Sequence, residues 1–305
     1  MRVISKAQEL ALTLDSERAI GRKIGLVPTM GALHLGHRSL IERAVSECDV
    51  VVVTVFVNPL QFGDASDLAA YPRDLGTDLV VSEEAGASIV FAPSIEEMYP
   101  SFPDPPCTTV HVAGLTDVLE GASRPGHFDG VATVVTKLFA LAGRCRAYFG
   151  EKDFQQLAVV RRLAADLSLP VDVVGCPTIR EPDGLALSSR NARLTPSERL
   201  ASGVLHQAIE AGLDAVRAGE RWPRIVNAAM AKILGGEPLV ALDYAVAVDA
   251  ETFETPHELA GNVRLLIAAT VGEVRLIDNE GATAPGSQEP VLAGHGTNKT
   301  NKRES

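Results

Sequence analysis

The run Asp49-Val50-Val51-Val52-Val53-Thr54-Val55-Phe56-Val57 constrains the fold more than any other stretch of this chain. It is β-branched almost throughout and shows no alternation of polar and apolar residues. A strand of that kind must be covered on both faces, which is the situation of a parallel strand inside a sheet. It stops at Asn58-Pro59, where proline removes a ladder donor and pushes the preceding residue out of helical geometry. Further strands are expected at 23–28, Ser88–Phe91, Ala147–Phe149 and Val171–Val174, and Thr108–Val112 also has strand character. Helices are expected at 5–20, from the His34–His37 region through Leu40, Ile41, Ala44 and Val45, at 74–86, at 129–142 and at Phe154–Leu167. Strands and helices alternating with short turns predict an α/β fold, a doubly wound parallel sheet of the Rossmann-like kind. In such a sheet the ligand sits beyond the carboxyl ends of the strands. The loops at 28–37, 58–63 and 150–153 are therefore expected to meet.

After about residue 180 the pattern changes. Thr195-Pro196-Ser197-Glu198 is a helix start with a capping Thr, Pro in the first turn and an acid three residues on. One helix is expected from there to about Ala218 and a second over Pro223–Leu234. Three strand-like runs follow at Leu242–Val248, Val263–Ala269 and Val274–Ile277. The expected division is a Rossmann-like domain over 1–178, a smaller α+β C-terminal lid domain over 179–282, and a disordered polar tail over 283–305.

Composition narrows the function classes. The chain has 305 residues and a net charge of −11, with no basic stripe of the kind a nucleic-acid surface needs. No apolar run approaches the roughly 20 residues of a membrane span, and the N-terminus lacks a signal-peptide core. The expectation is a cytoplasmic protein without nucleic-acid or membrane partners. Cys48, Cys107, Cys145 and Cys176 form no C-x-x-C pair, which argues against a zinc knuckle or redox motif.

Four stretches offer chemistry. Leu26-Val27-Pro28-Thr29-Met30-Gly31-Ala32-Leu33-His34-Leu35-Gly36-His37 reads as strand, loop and helix start. Helix N-termini present unpaired N–H groups and partial positive charge, so two imidazoles beside them make a phosphate site. Gly36 would allow close approach of the backbone. The alternative is a capping histidine plus a surface one. Gly150-Glu151-Lys152-Asp153-Phe154-Gln155-Gln156 combines a strand-end glycine, a cation for phosphate or carboxylate, and an acid able to hold Mg²⁺. The alternative is an ordinary charged turn with Asp153 as a helix cap. Ser188-Ser189-Arg190 on the loop after Asp183-Gly184 offers donors to phosphate oxygens, or is a polar linker between domains. Asn58 and Gln61 form an amide pair beside a strand end that could fix a hydroxyl or carboxylate substrate.

Taken together, these blocks resemble the pantoate–β-alanine ligase (pantothenate synthetase) family. The resemblance is carried by Pro28–His37, Val57-Asn58-Pro59-Leu60-Gln61-Phe62-Gly63, Tyr71-Pro72-Arg73 and His127-Phe128-Asp129-Gly130-Val131. It extends through Phe149–Asp153, Pro177-Thr178-Ile179-Arg180-Glu181, Asp183-Gly184-Leu185 and Ser188–Asn191, in order and in spacing. It implies an ATP- and Mg²⁺-dependent condensation of pantoate with β-alanine through a pantoyl adenylate. It implies that Met30, His34, Gly36, His37, Gly150, Lys152, Asp153, Ile179, Leu187, Ser188, Ser189 and Arg190 bind ATP. His37, in the position usually given the proton-donor role, His34, Lys152 and Arg190 would be catalytic, and Asp153 would hold the metal. Pro28, Thr29, Met30, Asn58, Gln61, Tyr71, His127 and Gln156 would bind pantoate or β-alanine. The family also suggests a homodimer. Leu187 stands where many members have Met, and Phe154 where Tyr is common. The other readings are a different H-x-G-H nucleotidyltransferase that adenylates another small acid, and a nucleotide-binding protein without catalysis. Loops 58–73 and 121–127 are expected to close over a reactive adenylate.

Overall fold

The computed structural model describes residues 1–63 and 65–285. One sheet contains β1 (Arg2–Ile4), β2 (Ile24–Thr29), β3 (Val50–Val55), β4 (Ile89–Phe91), β5 (Cys145–Gly150) and β6 (Val171–Cys176). Its order is β1-β4-β3-β2-β5-β6, and every neighbouring pair is parallel. The connecting helices are α1 (Ala7–Ala19), α2 (Leu35–Glu47), α3 (Ala65–Ala70), α4 (Leu75–Glu84), α5 (Ile95–Met98), α6 (Glu120–Ser123), α7 (His127–Ala142) and α8 (Phe154–Asp166). The unbroken apolar run of β3 has the cause expected of it. Val50 and Val52 face a core shared with α1, α7 and α8, while Val51 and Val53 face one shared with α2. From β2 the chain adds strands on one side, β3 then β4, and later on the other, β5 then β6. The order reverses between β2 and β5, and the crevice at such a switch point is where open α/β sheets bind ligands.

The second unit comprises α9 (Pro196–Ser202), α10 (Val204–Arg217), α11 (Pro223–Leu234), β7 (Val240–Asp249), β8 (Gly261–Val271) and β9 (Val274–Ala284). Its three strands are antiparallel in sequence order. Helices α10 and α11 cover one face, with Leu205, Ile209, Leu213 and Met230 against Leu265 and Ile267. Gly212 allows that contact, because a Cβ there would lie 2.5 Å from Leu265 Cδ2. A bulge between Leu242 and Tyr244 leaves Asp243 out of the ladder, and its carboxylate instead takes Arg275 at 2.7 Å.

Several expectations need correction. Residues 108–112 form no strand: the Val110 N–H donates to the Thr133 hydroxyl (3.0 Å) instead of to a neighbouring strand. β1 was not anticipated, since three residues are too few for a periodic signal. Short helices α3, α5 and α6 occupy segments expected to be loop. The single helix expected after Thr195 is two, α9 and α10. Gly203 between them keeps helical dihedrals (φ −59°, ψ −19°), and a Cβ there would sit 3.2 Å from the Asp183 carboxylate. Thr283 and Ala284 belong to β9, paired with Asn262 and Gly261, and not to a tail. The rest of the expected tail, from residue 286, lies outside the described residues.

Candidate active site

β2 delivers the chain into a loop held from several sides. The Thr29 hydroxyl donates to the Thr54 carbonyl (2.6 Å) and accepts from the Gly31 N–H (3.1 Å). The buried Asp78 carboxylate accepts from the N–H groups of Ala32 (3.2 Å) and Leu33 (2.8 Å). Gly31 is left-handed (φ +84°), and a Cβ there would lie 2.6 Å from Asp78 Oδ2. The loop ends at His34, the N-cap of α2. Its Nδ1 accepts from the Gly36 N–H (3.1 Å), while His37 Nδ1 accepts from the His34 N–H (3.4 Å). Backbone N–H groups can only donate, so each Nδ1 is unprotonated and the neutral ring carries its proton on Nε2. The rings lie 4.2 Å apart. Burial, then the neighbouring His34, pushes the His37 pKa down to about 3. Burial, then Lys152, also lowers that of His34. The pair is therefore two neutral Nε2–H donors at a helix N-terminus, and His37 holds no ionisable proton at neutral pH beyond that neutral N–H. Gly36 also has a role other than the one expected. A Cβ there would meet His34 Cε1 at 2.8 Å, so glycine makes room for the imidazole.

β5 delivers the second loop. Gly150 precedes a 3₁₀ turn, Glu151–Asp153, and then α8. Lys152 Nζ lies 3.2 Å from Asp153 Oδ1. Asp153 stands at the N-cap of α8, yet its side chain makes no capping bond. The ordinary-cap alternative is thus not what occurs. Burial would raise the Asp153 pKa, but Lys152 and Arg190 outweigh it and hold the carboxyl below its usual range.

β3 delivers the third. The buried Asn58 amide donates to Gln61 Oε1 (3.1 Å) and to the Gly130 carbonyl (3.0 Å). Its oxygen accepts from the Leu60 N–H (3.3 Å) and the Tyr99 hydroxyl (2.9 Å). Asn58 has no capacity left for a substrate, so it positions Gln61. The Gln61 Nε2 rests on Met30 Sδ at 2.8 Å. His127 is similarly engaged. An Arg124 N–H donates to His127 Nε2 (3.1 Å), so Nδ1–H donates to the Gln61 carbonyl (2.9 Å). Burial, then Arg124, drives the His127 pKa down to about 4. Pro28 lies at the β2 end, and the Tyr71 ring packs edge-on against Phe62, 5.7 Å between centroids. Gln155 and Gln156 both line the cleft, but the Gln155 amide is fully engaged by the protein. The Gln155 amide donates to the carbonyls of Leu115 and Val118, both at 2.8 Å, and its oxygen accepts from the Glu120 N–H (3.1 Å).

The segment after β6 is a pinned loop and not a slack linker. The Leu187 N–H donates to the Ile179 carbonyl (2.9 Å), and Arg180 bridges Ala186. Arg199 pairs with Glu181 and Asp183, and Asn191 donates to Glu181 and to the Ala186 carbonyl, both at 3.1 Å. Ser188 caps the 3₁₀ turn Ser189–Arg193 by accepting from the Arg190 N–H (3.2 Å). Ile179, Leu187, Ser188 and Ser189 shape this loop, and Arg190 lines the cleft. That cleft, with about 500 Å³ of empty space, brings together Arg124, His127, Lys152, Asp153, Gln156 and Arg190 under the second sheet. Among the described residues no three His, Cys, Asp or Glu side chains cluster as a metal cage.

The profile of the family described as Pantoate-beta-alanine ligase matches residues 2–281. The chain belongs to the pantoate–β-alanine ligase family. Its relatives include the pantothenate synthetase of Moorella thermoacetica, 50% identical over 262 residues that span 86% of this chain and 92% of the relative. That of Rubrobacter xylanophilus is 52% identical with the same coverage of each chain. Among solved structures, pantothenate synthetase from Thermus thermophilus superposes with a TM-score of 0.85 at 47% identity, over 92% of this chain and 99% of the other. Pantoate-beta-alanine ligase from Francisella tularensis, complexed with Beta-gamma ATP and Beta-alanine, does so at 0.73 and 32% identity, over 92% and 97%. Membership in this ligase family favours pantothenate synthesis over adenylation of another acid.

For a ligase of this family the structure adds residues that sequence reasoning missed. Asp78 holds the histidine loop from 46 positions away. Asn279 on β9 is buried and donates to the Lys152 carbonyl (2.7 Å), tying the second sheet to the β5 loop. Asp278 beside it pairs with Arg180 (2.8 Å). Glu120 takes Arg275 at 2.7 and 2.8 Å and the Tyr244 hydroxyl at 2.8 Å. None of these lay in a local motif, so only three-dimensional proximity reveals them. Phe154 needs no hydroxyl. It stacks on Phe253 (5.7 Å) and lies under the Arg264 guanidinium (3.9 Å).

Proposed function

We propose that this ligase joins pantoate to β-alanine in two steps at the crevice between β2 and β5. A pantoate carboxylate oxygen first attacks the α-phosphorus of ATP, an O–P bond forms, and the bond to pyrophosphate breaks. The β-alanine amine then attacks the acyl carbon. An N–C bond forms, the C–O bond to AMP breaks with its electron pair leaving on AMP, and the nitrogen sheds a proton. No side chain has to become a covalent nucleophile, because the substrate supplies it. Catalysis is then orientation plus stabilisation of charge on phosphate oxygens.

This reading is supported by two neutral Nε2–H donors at the start of α2 after β2, beside Lys152 after the neighbouring strand β5, with Arg190 lining the same cleft as Lys152. His34 and His37 would donate to phosphate oxygens at the start of α2, with Lys152 and Arg190 neutralising the rest. His37 then acts as a hydrogen-bond donor to the leaving pyrophosphate and not as a titrating acid. Gln61, set by Asn58 and lying against Met30, would hold pantoate, with Gln156 opposite. Asp153 can hold Mg²⁺ if the phosphates supply other ligands, the usual arrangement for this ion. When bound, Mg²⁺ supplies charge neutralisation at the phosphates. The same proposal treats 1–178 and 179–282 as two domains, with segments 58–73 and 121–127, which carry α3 and most of α6, closing over the adenylate. It also takes the enzyme as cytoplasmic, as the composition suggests, and as a homodimer, as the family resemblance implies. Among the described residues no helix is long and apolar enough to cross a membrane.

Exchange of labelled pyrophosphate into ATP, without β-alanine present, tests the first step. It should require pantoate and Mg²⁺. Equal exchange with unrelated hydroxy acids would return the reading to a nucleotidyltransferase of different substrate.

A further inference from the structure

Arg124 is the cleft cation to which neither the sequence motifs nor the proposed adenylation gives a task. It ends α6, lines the cleft beside His127, Lys152 and Arg190, and has no carboxylate within ion-pair distance among the described residues. Its nearest acid in sequence, Glu120, is already taken by Arg275 and Tyr244. One guanidinium N–H is spent on His127 Nε2 (3.1 Å), which fixes the orientation of the fork. A guanidinium of this kind, half-buried and lacking a carboxylate, is a built receptor for one, because its planar donors match two carboxylate oxygens.

Its place in the cleft decides which carboxylate. The histidine pair starts α2 after β2, and Lys152 and Asp153 follow β5, the strand beside β2, so these groups make the phosphate side of the proposed reaction. Arg124 belongs instead to the segment before α7, and through His127 it is joined to the backbone of Gln61 (2.9 Å), in the turn proposed to hold pantoate. The pantoate carboxylate is consumed at the phosphorus, so it needs no permanent cation of its own. β-Alanine carries a carboxylate that survives the reaction, separated by two methylenes from the attacking amine.

We propose that Arg124, oriented by His127, binds the carboxylate of the β-alanine nucleophile and sets the enzyme's preference for an amino acid over an uncharged amine. This rests on the two-step reading above. It concerns only the second step.

The test compares the unaltered full chain with Arg124→Gln and Arg124→Lys in two assays: pantoate-dependent ATP–pyrophosphate exchange, and amide synthesis with either β-alanine or β-alaninamide. In Arg124→Gln the KM for β-alanine should rise about 10- to 100-fold, the range for losing a charged hydrogen-bonded contact. Exchange should stay within about threefold of the parent, and the KM for β-alaninamide should not move. Arg124→Lys keeps the charge without the fork and should fall between. An unchanged KM for β-alanine in Arg124→Gln overturns the assignment. So does a loss of exchange matching the loss of amide synthesis, which would put Arg124 on the phosphate side. No exchange in the unaltered chain would instead overturn the adenylation reading itself, and this proposal with it.

Discussion

At the scale of single residues, the chemistry of the site depends on which ring nitrogens carry protons. His34, His37 and His127 each have a nitrogen already committed to a protein partner, and that commitment sets the tautomer of each neutral ring. The same burial has a consequence for stability. His37 and His127 have folded pKa values of about 3 and about 4, below the ordinary unfolded value of about 6.5. Between those values the unfolded chain binds more protons than the folded one, so stability falls as pH falls. Each histidine should remove up to about 1.4 kcal/mol per pH unit below roughly pH 6.5, until its folded pKa is reached. A His127→Asn variant, melted at pH 7.5 and at pH 5, should lose less stability between the two than the parent does. An equal loss in both proteins would show that His127 is not held neutral. The sequence supplied the identity of these histidines and their place at a helix start. It could not supply the tautomer of His127, which depends on the Gln61 carbonyl approaching from another segment, whereas those of His34 and His37 follow from backbone N–H groups of their own turn.

At the scale of elements, the parallel sheet was legible because β3 carries its evidence locally. Four consecutive valines are buried, two to each face. The α2 start was legible for the same reason, since cap and first turn are neighbours in sequence. What was not legible came from tertiary contacts: β1, whose three residues pair with β4, and 108–112, whose strand-like composition serves packing against α7. The second glutamine of Gln155-Gln156 was expected at the substrate, and it does line the cleft. The first, indistinguishable by composition, lines it too but spends its amide on pinning the loop that leads into α6. The fit of α7 against the Asn58–Gln61 turn is a close one. A Cβ at Gly130 would lie 2.3 Å from the Leu60 carbonyl oxygen. Gly130→Ala must therefore push the turn away from α7. We expect it to destabilise the protein by about 1–3 kcal/mol, as overpacking does, and to raise the KM for pantoate by displacing Gln61. Unaltered stability together with an unaltered KM would show that the turn does not depend on this contact.

At the scale of the whole molecule, the second unit completes a cleft that the first begins. Asn279 reaches the Lys152 carbonyl, Arg264 reaches Glu151 at 3.4 Å, and Arg275 holds Glu120. The sheet presents its loops at one switch point, and the C-terminal strands cover the position between those loops and Arg190. That arrangement suits a reaction whose intermediate, a mixed anhydride, must be kept from water between two attacks. The central claim is that the pantoate carboxylate oxygen itself bonds to the α-phosphorus. Mass spectrometry of AMP formed from pantoate carrying ¹⁸O in its carboxylate tests that claim most directly. The account predicts one ¹⁸O atom in each AMP made during amide synthesis. AMP free of label, or label recovered in inorganic phosphate, would contradict it.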